Sequence, residues 1–229
     1  MSWAGPQRAY ARHVASLPNL VRLAQEHRAG RAGWDAPIGL IHAGDPEAAE
    51  ADGYVMAVAV AAAMQPGATV DSVVESVLAH SSCLGHLAGE FIGRLERLLE
   101  IAAHCDDVFA LYEPFYREFL VTFPPWEGVF TLEMVPAALA ICVIARGDGE
   151  QAVIGAANLG RDADTIAGMA GELAGALGGR GAFPSAWVDK VLRLNPEPNL
   201  ERLAEDLSAL IVERARDRQR KAAMVLSLI

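Results

Sequence analysis

The stretch LGRDADTIAGMAGELAGALGG, residues 159–179, places an acidic entry before a helical pattern with a glycine at almost every turn. A glycine inside a helix costs about 1 kcal/mol relative to alanine, so this composition needs a reason. One line of the predicted helix contains Asp164, Gly168, Gly171, Gly175 and Gly178. The opposite side contains Ile166, Met169, Ala170, Leu173 and Leu177. The pattern predicts a helix with one core face and one bare face that another backbone can approach closely.

The acidic entry consists of Asp162, Asp164 and Thr165. Because the two aspartates lie two positions apart in a non-helical entry, both carboxylates and the threonine hydroxyl can converge on one point. Such hard oxygen donors suit Mg²⁺, Mn²⁺ or Ca²⁺, and a helix N-terminus favours ionised carboxylates. The alternative is that one aspartate simply caps the helix. Capping needs only one aspartate, however, and does not explain the glycine face.

The composition of the chain argues against several classes of protein. The 229 residues carry a net charge of −10, which argues against a nucleic-acid partner. The longest apolar runs, residues 54–64 and 135–145, fall short of the ~20 residues that span a bilayer. Three cysteines without paired spacing (Cys83, Cys105 and Cys142) fit a reducing compartment. We therefore predict a cytoplasmic protein that binds neither nucleic acid nor a membrane.

Helical periodicity dominates the chain, and alternating strand patterns are nearly absent. A helix interrupted near Pro18 is predicted within residues 10–23, and Asp106 and Asp107 are expected to begin another. With no repeat or low-complexity linker, we predict one all-α domain over residues 1–229, a helical bundle with the glycine helix as its central member. The apolar C-terminal stretch AAMVLSLI is expected to dock either on the body of the protein or on a second copy in a homo-oligomer.

The sequence NLGRDADTIAGMAGELAGALGG closely resembles the C-terminal metal motif of the ADP-ribosylglycohydrolase family, which includes the dinitrogenase-reductase-activating glycohydrolases. Neighbouring segments agree with this resemblance: VPAALAICVIARGDGEQAVIGAANLG before the motif, FPSAWVDKV after it, and APIGLIHAGDPEAA earlier in the chain. The resemblance is dense over residues 135–191 and patchier over residues 36–78.

The resemblance implies an orthogonal all-α bundle with a binuclear centre of Mg²⁺, or of Mn²⁺, that holds the ribose of ADP-ribose. It implies hydrolysis of the bond between the ribose anomeric carbon and an arginine, serine or similar acceptor. The partner would then be an ADP-ribosylated protein or a small ADP-ribosyl or ribosyl substrate. Asp162, Asp164 and Thr165 match the family's C-terminal metal ligands.

The family pattern also contains an N-terminal Thr-Asp-Asp-type ligand run and an earlier acidic residue near the reaction centre. Neither is identifiable here, so we expect the chain to be short at its N-terminal side, and we name no general acid or base. Asp106 and Asp107 follow Cys105 in the wrong order for that run. Two functions stay open: a hydrolase of ADP-ribosyl bonds, and a catalytically degenerate relative that binds nucleotides or proteins.

Overall fold

The computed structural model describes residues 55–123, 131–197 and 199–227, together with Gly44 and Pro46. These residues form helices and turns and contain no strand, so the all-α prediction is confirmed. The helix predicted within residues 10–23 lies outside the described residues. The single domain over residues 1–229 stays a prediction.

The helices follow one another along the chain with short connections. In order they are α1 (Val55–Ala63), α2 (Val70–Ala79), α3 (Ala88–Ala102), α4 (Tyr112–Pro114), α5 (Leu120–Thr122), α6 (Thr131–Ile144), α7 (Gly149–Leu159), α8 (Ala163–Gly178), α9 (Ser185–Leu194) and α10 (Leu200–Leu226). The remaining helical turns are the 3-10 turns Ser81–Leu87 and Gly179–Ala182 and the π-helical turn Phe115–Phe119.

Local capping explains where several helices begin. Thr69 and Ser72 form a reciprocal capping box at α2, in which each side-chain oxygen accepts the other residue's backbone N–H, at 3.2 and 2.9 Å. Asp148 caps α7 and Asn199 caps α10, each accepting the backbone N–H three residues on, at 2.8 and 2.9 Å. All three caps are residue types that are strongly preferred at helix N-termini.

The acid pair before α4 does not begin a helix as predicted. Asp107 Oδ1 accepts the backbone N–H groups of Phe109 and Ala110 at 2.8 and 2.9 Å, which closes a turn. Regular helix begins only at Tyr112. The Asp107 side chain stabilises this turn instead of a helix, as Asp side chains often do.

The centre of the core is formed by α1 and α6, not by the glycine helix as predicted. Every residue of α1 is buried, and residues 132–142 of α6 are buried without a break. A helix that is apolar on all sides is stable only when it is surrounded. By contrast α8 has one buried face, which includes Ile166, Met169 and Leu173, and packs mainly against α7 and α6.

The bare face of α8 receives side chains rather than a backbone. A Cβ placed at Gly171 would lie 3.3 Å from Val153 Cγ2 on α7, and one at Gly175 would lie 3.5 Å from the Phe183 ring. The prediction of a close backbone approach is therefore wrong at these positions, because branched and aromatic side chains fill the space that the glycines leave. A Cβ at Gly168 would meet nothing within 4 Å, so α8 is open to solvent one turn after Asp164.

The C-terminal helices lie at the surface. Neither α9 nor α10 has a buried residue. Within the part of the chain that the structure describes, no helix combines the length and the apolar character that a bilayer span requires.

Candidate functional site

The candidate site lies at the sharp connection between α7 and α8. Gly160 has φ 89° and ψ −161°, and Arg161 has φ 59°. The first conformation is essentially restricted to glycine, and the second is uncommon for any other residue. A Cβ at Gly160 would also overlap the Tyr116 hydroxyl. Two consecutive residues with positive φ reverse the chain, so that Asp162 stands at the first position before α8.

The structure brings the three predicted donor residues together. Asp162 is at the N-cap position of α8, but its side chain makes no capping hydrogen bond. Its carboxyl group instead contacts the side chains of Asp164 and Thr165. The backbone N–H groups of Asp164 and Thr165 help to lower the pKa of the Asp164 carboxyl group. Capping therefore does not account for Asp162, whose carboxyl group lies close to the other two side chains; the role of the three residues as metal ligands stays a prediction.

The two carboxyl groups shift each other's pKa in opposite directions. Burial, and the hydrogen bond to Asp164, raise the pKa of Asp162 above its usual value. The same hydrogen bond lowers the pKa of Asp164. Two carboxylates this close repel each other when both are ionised, and a divalent cation between their oxygens would remove that repulsion. The oxygen donors therefore fit one side of a Mg²⁺ or Mn²⁺ site.

An ion pair that was not predicted from the sequence anchors the same connection to α6. Arg161 Nε and Nη2 donate to the two carboxylate oxygens of Glu133 at 2.7 and 3.0 Å. Glu133 is 5% exposed, and this bidentate hydrogen bond raises the pKa of Arg161. The signal in the sequence was a single acidic residue inside the apolar run LEMVPAALA, since a buried charge needs a partner.

Two tyrosine hydroxyl groups donate hydrogen bonds to backbone carbonyl oxygens of α7. The Tyr112 hydroxyl donates to the Gly155 carbonyl oxygen at 2.7 Å, and the Tyr116 hydroxyl donates to the Leu159 carbonyl oxygen at 2.9 Å. The donors and the acceptors are each four residues apart, so one face of the α4 and π-helical segment matches one face of α7. The last turn of α7 is thereby fixed just before the connection.

A further acidic residue lies on the open face of α8. Glu172 follows Asp164 by two helical turns and reaches solvent. The surrounding protein nevertheless desolvates its carboxyl group and raises the pKa of Glu172 to about 7. Glu172 was not among the predicted site residues, because an acid on a helix face is normally a solvated surface group.

Asp162, Asp164 and Thr165 would form only part of a metal centre. Among them, no group of three or more histidines, cysteines, aspartates and glutamates is placed to hold a metal ion. Mg²⁺ usually keeps several waters and accepts one or two protein carboxylates, so Asp162 and Asp164 suit it without a closed cage. The additional N-terminal ligands that the family resemblance implies are not found in the part of the chain described.

A groove of about 780 Å³ lies elsewhere, between α3 and the segment that contains α4. Its walls carry exposed ion pairs: Arg97 with Glu100 and Glu118 at 3.0 and 3.1 Å, and Arg117 with Glu113 at 2.9 Å. Such solvent-exposed pairs contribute little stability and are common on helix surfaces. The groove does not include the donor residues.

The fold and the site together define a class: an all-α bundle that presents a carboxylate and hydroxyl donor set at the start of a glycine-rich helix. The chain belongs to the ADP-ribosylglycohydrolase family, whose model matches residues 20–218. This result confirms the family resemblance seen in the sequence.

Three curated relatives match shorter segments. The chain is 36% identical over 93 residues to a protein of Escherichia coli (strain K12) named "Uncharacterized protein YegU", covering 41% of this chain and 26% of that protein. It is 43% identical over 56 residues to "ADP-ribosylarginine hydrolase Tri1" of Serratia proteamaculans (strain 568), and 45% identical over 56 residues to the protein of the same name from Pseudomonas putida (strain GB-1). Each of these two matches covers 24% of this chain and 14% of the relative. The aligned part of the chain thus spans about a quarter or less of the relatives' length, and no solved structure gives a significant match.

Proposed function

We propose that this chain acts as a hydrolase of ADP-ribosyl bonds that depends on Mg²⁺ or Mn²⁺. The observation that carries this proposal is the convergence of Asp162, Asp164 and Thr165 at the start of α8, in a chain of the ADP-ribosylglycohydrolase family. In the reaction, the oxygen of water bonds to the anomeric carbon of the ribose. The bond from that carbon to the acceptor breaks, and the departing acceptor atom takes up a proton.

The donor residues would hold the cation through oxygen atoms, and we propose that they form one side of the binuclear centre that the family resemblance implies. A bound Mg²⁺ would supply positive charge that orients ribose hydroxyls and polarises a water molecule. The protein's own contribution is to keep this donor set rigid. Its supports are the two tyrosine hydrogen bonds to α7 and the ion pair to α6.

ADP-ribosylated arginine is the substrate that we propose to test first, because two relatives are named ADP-ribosylarginine hydrolase. The test measures release of ADP-ribose from an ADP-ribosylated arginine peptide, with Mg²⁺ and with EDTA. It compares the wild type with Asp164→Ala and with the control Asp189→Ala, which removes an exposed carboxylate on α9.

We expect release that depends on Mg²⁺ and falls by about 100-fold or more in Asp164→Ala, in the range seen when a catalytic stabilising group is removed. Asp189→Ala should keep the wild-type rate. Release that persists in EDTA would overturn the metal dependence. No release above a matched blank would overturn the arginine-directed hydrolase.

A second function, binding of ADP-ribose without hydrolysis, is favoured by one observation. Within the described residues no third acidic, histidine or cysteine side chain joins Asp162 and Asp164. Calorimetric titration with ADP-ribose in Mg²⁺ separates the two functions. Saturable binding that Asp164→Ala weakens, without turnover of the peptide, would favour the binding module.

A further inference from the structure

We infer that Glu133 and Arg161 form a positioning pair that sets the orientation of the Asp162 and Asp164 donors for a divalent cation. This inference rests on the proposed function, because the cation is the ligand that those donors would bind. The pair is not itself a ligand set: its two charged groups satisfy each other, and it acts through the backbone of the connection between α7 and α8.

The connection between α7 and α8 is short and tightly constrained. Only residues 160–162 separate the last residue of α7 from the first residue of α8. Arg161 holds φ 59°, a conformation that a non-glycine residue keeps only when its surroundings determine it. The next Cα is about 3.8 Å away, so any rotation at Arg161 moves the Asp162 carboxylate.

An ion pair with Glu133 holds Arg161 in that conformation. Both carboxylate oxygens of Glu133 accept hydrogen bonds from its planar guanidinium, at 2.7 and 3.0 Å. A bidentate pair of this kind fixes direction as well as distance. Glu133 is 5% exposed within the continuously buried part of α6, so the anchor itself has little freedom.

The same ion pair also determines which carboxylate balances the positive charge of Arg161. A guanidinium next to two aspartates in sequence would otherwise be an obvious partner for their carboxylates. Because Glu133 accepts two of its N–H donors, the guanidinium of Arg161 is paired with Glu133 rather than with either aspartate. The pair therefore both orients the donor residues and leaves their oxygens available to a cation.

The experiment is a titration of the full-length chain with Mn²⁺, followed by the electron paramagnetic resonance signal of the free ion. It compares the wild type with Glu133→Gln, Arg161→Gly and Arg161→Lys. The matched control is Arg146→Gly, because Arg146 is a second arginine with positive φ, 52°, at the opposite end of α7. Each variant's thermal unfolding is recorded, and Arg161→Lys retains the charge if the other substitutions disturb folding.

We expect Glu133→Gln and Arg161→Gly to raise the Kd for Mn²⁺ by about 10-fold or more, as loss of a residue that orients metal ligands commonly does. Arg161→Lys should give an intermediate Kd, because an ammonium group cannot replace the bidentate contact. Arg146→Gly should leave the Kd unchanged. Amide hydrogen exchange in peptides that cover residues 160–165 should be faster in Glu133→Gln and Arg161→Gly but not in Arg146→Gly.

The outcomes separate the two proposals. Equal Mn²⁺ affinity in the wild type, Glu133→Gln and Arg161→Gly overturns the positioning inference and leaves the proposed function standing. A wild type that binds no Mn²⁺ overturns the metal-dependent function. It also overturns the role that the pair is inferred to support.

Discussion

The Tyr116 hydroxyl donates a hydrogen bond to the Leu159 carbonyl oxygen at 2.9 Å and so joins the π-helical turn to the last residue of α7. Leu159 is 2% exposed, so its backbone oxygen has little access to water. The hydrogen bond satisfies an oxygen that α7 itself cannot satisfy at its C-terminal end. The connection to the donor residues begins at the next residue.

Tyr116→Phe removes this hydrogen bond and retains the ring. We expect a loss of about 1 kcal/mol in the free energy of unfolding, the usual contribution of one hydrogen bond, with up to about 3 kcal/mol if the carbonyl stays dry. Urea denaturation measures the change. Val121→Ala, at a side chain that is 71% exposed, is the control and should stay within about 0.5 kcal/mol of the wild type. Equal stability of Tyr116→Phe and the wild type would contradict the structural role of the hydrogen bond.

Two glycine-to-alanine substitutions near the site should act in opposite directions. Gly168→Ala places a methyl group in open space inside α8 and should stabilise the protein by about 1 kcal/mol. Gly160→Ala forces a side chain into a left-handed backbone conformation and into the Tyr116 hydroxyl, so it should destabilise the protein by about 1–3 kcal/mol.

Thermal unfolding of the two variants side by side checks this pair. The double variant Gly160→Ala with Tyr116→Phe removes the overlap but leaves the backbone strain, so it should recover only part of the loss. A neutral or stabilising Gly160→Ala would contradict the geometry of the connection.

Glu172 should make stability depend on pH. Its pKa is raised from 4.5 to about 7 in the folded protein, so the folded state binds more protons than the unfolded state between these two values. The stability that Glu172 contributes is therefore fully present below about pH 4.5 and is lost as the pH rises through about 7.

The variant Glu172→Gln removes this dependence. It should be more stable relative to the wild type at pH 8 than at pH 5, measured by urea denaturation at both pH values. Glu205→Gln, which removes an exposed carboxylate from α10, controls for the change in net charge. The same stability difference for Glu172→Gln at both pH values would show that the carboxyl group is fully solvated.

Cys142 should resist alkylation in the folded protein. Burial raises the pKa of its thiol to about 12, and the side chain is within the interior of α6. Because the thiolate is the nucleophile, iodoacetamide at pH 8 should modify Cys142 only on unfolding. Site-resolved mass spectrometry with and without urea measures this, and fast labelling of Cys142 in the native state would show that α6 opens.

Features that depend on a few neighbouring residues could be predicted from the sequence. The convergence of Asp162, Asp164 and Thr165 is one, since the three residues are within one turn of each other. The caps Thr69, Asp148 and Asn199 depend on equally local geometry, because each accepts a backbone N–H three residues on. Local backbone geometry decides these features, and the residue type at each position indicates that geometry.

The long-range supports of the site could not be predicted in the same way. Glu133 and Arg161 are 28 residues apart, and each tyrosine is 43 residues from its carbonyl partner. Such pairings depend on how the helices dock, which a single sequence does not encode in its spacing. The central position of α1 was missed for a related reason: nine apolar residues in a row, all alanine or valine except Met56, give no periodicity from which to assign a face.

The buried carboxylate of Glu133 also sets an order of assembly. Because its partner Arg161 is 28 residues later in the chain, the pair forms only after α6, α7 and the start of α8 have docked. In a partly folded chain the carboxylate is hydrated, and nothing holds Arg161 in its left-handed conformation. The arrangement of Asp162 and Asp164 therefore depends on these tertiary contacts, and a cation that bound there would stabilise the folded state over the unfolded one.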